Sequence, residues 1–108
     1  MLALVGLNIK TLKDTNLGNK NNIQHLDLTC NQFISGAELS ELPNLCTLIL
    51  DDNQLEDIED FPILKSLETF SANKNNLCNI DKFLDDAFDR FGNLKNLSLL
   101  KNPLNPFF

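Results

Sequence analysis

The chain has one histidine and three cysteines, Cys30, Cys46 and Cys78, in 108 residues. The cysteine count is odd, the spacings are wide and no CxxC pair occurs. Neither a disulfide framework nor a Cys/His zinc site is expected, and no cofactor is implied. The thiols read as reduced, so the expected compartment is cytoplasmic or nuclear. Basic residues are also scarce. Nine Lys and Arg against fifteen Asp and Glu give a net charge of −6 and a pI near 4.5. Nonspecific binding to nucleic acid or to an anionic membrane needs a basic surface, so direct contact with either is not expected. Entry into a ribonucleoprotein through a protein partner stays open. Long apolar runs are missing as well. The opening MLALVGL lacks a basic flank and a clear cleavage site, and it is too short to span a bilayer. A signal peptide and a membrane anchor are therefore both rejected. What remains is enough apolar residue, 43% of the chain, to pack one domain over 1–108.

Those apolar residues recur with a period. IQHLDLTCNQF from Ile23, LCTLILDDNQL from Leu45, LETFSANKNNL from Leu67 and LKNLSLLKNPL from Leu94 all fit LxxLxLxxNxL, with Ile, Phe or Ala sometimes replacing Leu. The motif asparagines are Asn31, Asn53, Asn75 and Asn102, so the spacings are 22, 22 and 27. Four matches at near-fixed period mark a repeat architecture. An earlier unit, LALVGLNI, is degenerate: Leu7 takes the asparagine slot and Asn8 falls one residue late. The division is a degenerate first coil over 1–22, repeats over 23–44, 45–66 and 67–93, and a terminal coil over 94–108.

In LxL the apolar residues alternate, so both point to one face of a strand. Leu26/Leu28, Leu48/Leu50, Phe70/Ala72 and Leu97/Leu99 are expected to face the core. The motif asparagine turns the chain out of the strand, and its amide can satisfy backbone groups of neighbouring coils as a structural ladder. One coil cannot bury its apolar face alone, so the coils must stack. Ile58, Phe61, Leu64 and Leu67 lie three apart, a spacing for turns or 3₁₀ structure. In the longer unit, Phe83, Leu84, Ala87, Phe88 and Phe91 follow helical spacing. A helix of about two to three turns is expected there, capped by Asp81 and ended by Gly92. Phe33, Phe61, Phe70, Phe83, Phe88 and Phe91 read as core. Phe107 and Phe108 either fold over the last coil or lie exposed.

These residues resemble the 22-residue, SDS22-like class of leucine-rich repeats over nearly the whole chain. The helix followed by NLKNLSLLKNPLNP is similar to the terminal unit of the U2A′ and dynein light chain 1 families. Those families continue past the NP with a capping segment, and this sequence stops at Phe108. LALVGLNI near the start and LKNLSLLKNP near the end also resemble the leucine-rich-repeat and melanocyte-differentiation-associated family. The resemblance implies an α/β fold: a right-handed solenoid with a concave parallel β-sheet and a convex side of turns, 3₁₀ segments and one short helix. It further implies an intracellular protein that binds other proteins through its concave face or an edge.

With the register fixed, the concave residues can be named. His25, Asp27, Thr47, Ile49, Asp51, Ser71, Asn73, Lys74, Ser98 and Leu100 form the candidate partner-binding face, with Ile49 and Leu100 as apolar anchors. The plainer alternative is a solvated sheet face. His25, Asp27 and Cys30 invite a nucleophile reading. His25 and Cys30 are five residues apart along a strand and its exit, about 16 Å, beyond hydrogen-bond reach. DDNQLEDIED has the charge of a calcium loop without its glycine or acidic spacing. No catalytic or metal site is expected. The leading expectation is a non-catalytic adaptor or regulatory subunit. The alternative is a structural subunit of a larger assembly, ribonucleoprotein or dynein/axonemal. The uncovered first strand invites self-association at the N-terminal edge.

Overall fold

The computed structural model describes residues 1–104. Its framework is one five-stranded, all-parallel sheet in the order β1 (Leu2–Ala3), β2 (His25–Asp27), β3 (Thr47–Ile49), β4 (Thr69–Ser71) and β5 (Asn96–Ser98). Partners across the sheet include Leu2–Leu26, Leu26–Leu48, Leu48–Phe70 and Phe70–Leu97, so the motif leucine positions lie side by side. The ladder continues past each strand: Leu28 N–H donates to Ile49 O at 2.8 Å and Leu50 N–H to Ser71 O at 2.7 Å. β1 and β5 are the two edge strands, unpaired on their outer sides among the described residues.

Return segments carry the chain from one strand to the next. Two contain 3₁₀ turns, the first at Leu12–Asp14 and Lys20–Asn22 and the second at Ala37–Glu41, and the longest contains α1 (Ile80–Arg90). Leu26, Leu28, Leu48, Leu50, Phe70 and Ala72 are at most 1% exposed, as the alternation predicts. Ile58, Phe61, Leu64 and Leu67 are buried from the opposite side. Phe70 is the centre of an aromatic cluster, with ring centroids 6.0 Å from Phe61, 6.2 Å from Phe83 and 5.4 Å from Phe91. Gly36 packs on the Phe61 ring so closely that a Cβ there would collide with it.

Several expectations are corrected. Leu97, read as core, is 41% exposed, and Leu99 is only half-buried. β5 is the last strand of the sheet, and among the described residues nothing stacks on its far side. Phe88, also read as core, is 84% exposed, and Leu84 is exposed beside it. α1 turns only its Phe83–Ala87 line onto the core, so the adjoining line faces out. The helix cap is Asn79, whose side chain accepts from Lys82 N–H at 3.0 Å, rather than Asp81. Phe91 closes the helix with φ of −119°, and Gly92 does not supply a left-handed stop. Phe107 and Phe108 fall outside the described residues.

Candidate interaction surface

The asparagine ladder is what fixes the strand exits. Asn31, Asn53 and Asn75 are 8%, 7% and 6% exposed. Asn53 Nδ2 donates to Leu28 O at 3.0 Å and Leu50 O at 3.1 Å, while its Oδ1 accepts from Phe33 N–H at 3.0 Å. Asn31, Asn75 and Asn102 repeat the arrangement, each bonding to the unit before its own. Leu7, in the same slot of the first unit, is 56% exposed. Immediately before each slot the backbone is left-handed, with φ of 68° at Gly6, 60° at Cys30, 54° at Asp52, 55° at Lys74 and 59° at Lys101. Sequence reasoning placed Lys74 on the candidate face and missed this role for all five. Gly6 was the signal that could have shown it.

The strand residues between core positions form the sheet's outer face. His25 and Leu100 are exposed there; Asp27, Thr47, Ile49, Asp51, Ser71, Asn73 and Ser98 are half-buried; Lys74 projects from its left-handed turn. Many of these groups are bonded to one another. Asp51 Oδ1 accepts from Ser71 Oγ at 2.6 Å and from Asn73 N–H at 2.8 Å. Asn73 Oδ1 accepts from Ser98 Oγ at 2.8 Å and from Leu100 N–H at 2.6 Å. A polar chain thus crosses β3, β4 and β5. At the other side, His25 Nδ1 lies 2.8 Å from Thr47 Oγ1, and Asp27 accepts from Thr29 N–H at 3.0 Å. These bonds fix the orientation of the polar groups on this face.

Charge on this face is uneven. Asp27, Asp51 and Asp52 enter no ion pair among the described residues. The ion pairs lie elsewhere: Lys20–Glu41, Lys95–Glu68, and Lys82 and Arg90 around Asp86. There the Lys20 ammonium holds the Glu41 carboxyl below its usual range, and Glu59 and Asp86 raise Lys82. Ile49, on the middle strand, and Leu100 are among the apolar residues of the outer face. Among the described residues, no group of three or more His, Cys, Asp or Glu side chains is placed to hold a metal ion. No described helix is long and apolar enough to cross a membrane.

No family model matches the chain, and no curated protein matches it.

Proposed function

We propose that the chain is a leucine-rich-repeat solenoid of the 22-residue class whose concave sheet binds another protein, as a non-catalytic adaptor or regulatory subunit. The reading rests above all on the pre-bonded outer face, where the Asp51–Ser71–Asn73–Ser98 chain holds polar groups around the apolar Ile49. A half-buried apolar residue amid oriented polar groups has the anatomy of an interface centre. Asp27, Asp51 and Asp52, in no ion pair among the described residues, favour a partner segment carrying Lys or Arg. The expected setting is cytoplasmic or nuclear. The test is site-specific photocrosslinking in cells, with a photoreactive residue at Ile49 or at Ile63, which is 66% exposed on a return segment. One partner should crosslink from position 49 and not from position 63. Crosslinks from position 63 alone would sink the reading.

A second reading, a structural subunit of a larger assembly, is favoured by the two open sheet edges at β1 and β5. An open edge takes up further chains, including a second copy at β1. Stable co-fractionation with a multi-subunit particle, surviving Ile49→Asp, would favour it over the first.

A further inference from the structure

Among the described residues, α1 and β5 carry an apolar surface that the sheet's outer face does not explain. Phe88 is 84% exposed, Leu84 47% and Leu97 41%. With Phe91, Gly92 and Leu94 they line an open groove of about 710 Å³ between α1 and β5. A Cβ built on Gly92 meets nothing within 4 Å, so the groove is open at the exit of α1. Contiguous exposed apolar surface of this kind marks an interaction site.

Charge along the rim narrows the occupant. Asp81, Asp85 and Asp89 repeat at i, i+4 and i+8 on α1, beside the Leu84–Phe88 stripe. None of the three enters an ion pair among the described residues. The cations nearby are already held: Lys82 by Glu59 and Asp86, Arg90 by Asp86, and Lys95 by Glu68. A second copy packed symmetrically through this groove would set one acidic helix against another in chains of charge −6, which like-charge repulsion opposes. A strand added to β5 would cover Leu97 and leave Phe88 bare, because Phe88 stands on α1.

We propose that the groove takes an amphipathic α-helix of a different protein. Its apolar face covers Leu84, Phe88 and Leu97, and Lys or Arg at its border faces Asp85 and Asp89. The 11 residues of α1 span roughly 16 Å at about 1.5 Å per residue, so about three turns of partner helix match its length. The site is separate from the sheet's outer face and stands whether or not that face binds.

The test is selection from a display library of amphipathic helical peptides of about 14 residues, or about four turns, against the full chain, followed by titration of the enriched peptides. Enriched sequences should place apolar residues at i, i+4 and i+7 with Lys or Arg at the border. Phe88→Asp, a change at an exposed position, should weaken them at least about tenfold, and Ile49→Asp should leave them unchanged. Asp85→Lys with Asp89→Lys should reverse the preference, so that versions with Glu at the border bind better. Failure to enrich, enrichment of acidic or extended peptides, or indifference to Phe88→Asp would overturn the proposal. So would binding that appears only after Phe107→Ser and Phe108→Ser, which would make the chain's own end the occupant. Self-association abolished by Phe88→Asp would instead make a second copy the occupant, and would also overturn it.

Discussion

Asn53 joins two units through one amide: it donates to Leu28 O and Leu50 O and accepts from Phe33 N–H, all while 7% exposed. Asn53→Ala removes the partner of buried backbone groups that water cannot reach, so it should cost about 1–3 kcal/mol in chemical unfolding. Asn8 is the contrast. It is exposed, and its φ is 57°, so Asn8→Ala should cost at most about 1 kcal/mol, because alanine tolerates left-handed backbone less well than asparagine. Equal losses would show that the ladder is not what holds the strand exits. Lys74 tests the same exits from the other direction. Its side chain is exposed, with φ of 55°, and Lys74→Gly should stabilise the fold by up to about 1 kcal/mol. A clear loss of stability in thermal melts would show that the Lys74 side chain contributes more than its turn costs. The asparagine slots were legible in the repeat itself. The left-handed residue before each slot was not, because only Gly6 among the five is of a type that announces it.

Among the elements, α1 depends on its last turn for its attachment to the fold. Arg90 Nε donates to Phe61 O at 2.9 Å, Nη2 to Glu59 O at 2.9 Å and Nη1 to Asp86 at 3.0 Å, while Leu64 N–H donates to Arg90 O at 2.9 Å. The planar fork therefore ties the helix to the preceding return segment. Arg90→Ala should destabilise the fold by about 1.5–3 kcal/mol, and Arg90→Lys should recover little, since one ammonium cannot reach three acceptors. Acid should narrow the difference between the native chain and Arg90→Ala. Burial pushes the Asp86 carboxyl up, but hydrogen bonds from Lys82 and Arg90 outweigh it and hold the group below its usual range. A depressed carboxylate stabilises the fold above its unfolded value, about 3.9, and loses that contribution as pH falls through the folded value. Urea titrations at pH 7 and below pH 4 should thus show a smaller Arg90→Ala penalty in acid, with the carbonyl bonds accounting for the remainder. An unchanged penalty would remove Asp86 from the account. The helix was legible from its 3.6-residue period, but its cap was not, because Asn79 and Asp81 both have side chains that can cap. Nor could the period tell that Phe88 is left exposed among the described residues: it shows that a face is apolar, not that anything covers it.

At the scale of the whole molecule, the sheet holds its register while the offset between partnered residues changes from 24 to 22, 22 and 27. The return segments absorb the differences, the largest through α1, so alternate strand positions keep their sides. Those sides were legible in LxL. The Asp51–Ser71–Asn73–Ser98 chain was not, because it depends on which side chains of three strands become lateral neighbours. Adjacent positions on β3 and its exit carry the sharpest test of both fold and function. Leu50 is 1% exposed, whereas Ile49 is half-buried on the outer face. Leu50→Asp buries an unpaired carboxylate among apolar side chains and should unfold the domain in circular dichroism. Ile49→Asp places its charge where water can reach it, so the fold should survive with a loss of no more than about 1 kcal/mol. A docked partner removes that water, and the nearby Asp27 and Asp51 supply no compensating cation. Partner affinity, measured calorimetrically on the folded variant, should therefore fall by at least about 2 kcal/mol. If Ile49→Asp binds normally while charge changes on the return segments abolish binding, the outer sheet face is not the binding surface, although the register that separates positions 49 and 50 would stand.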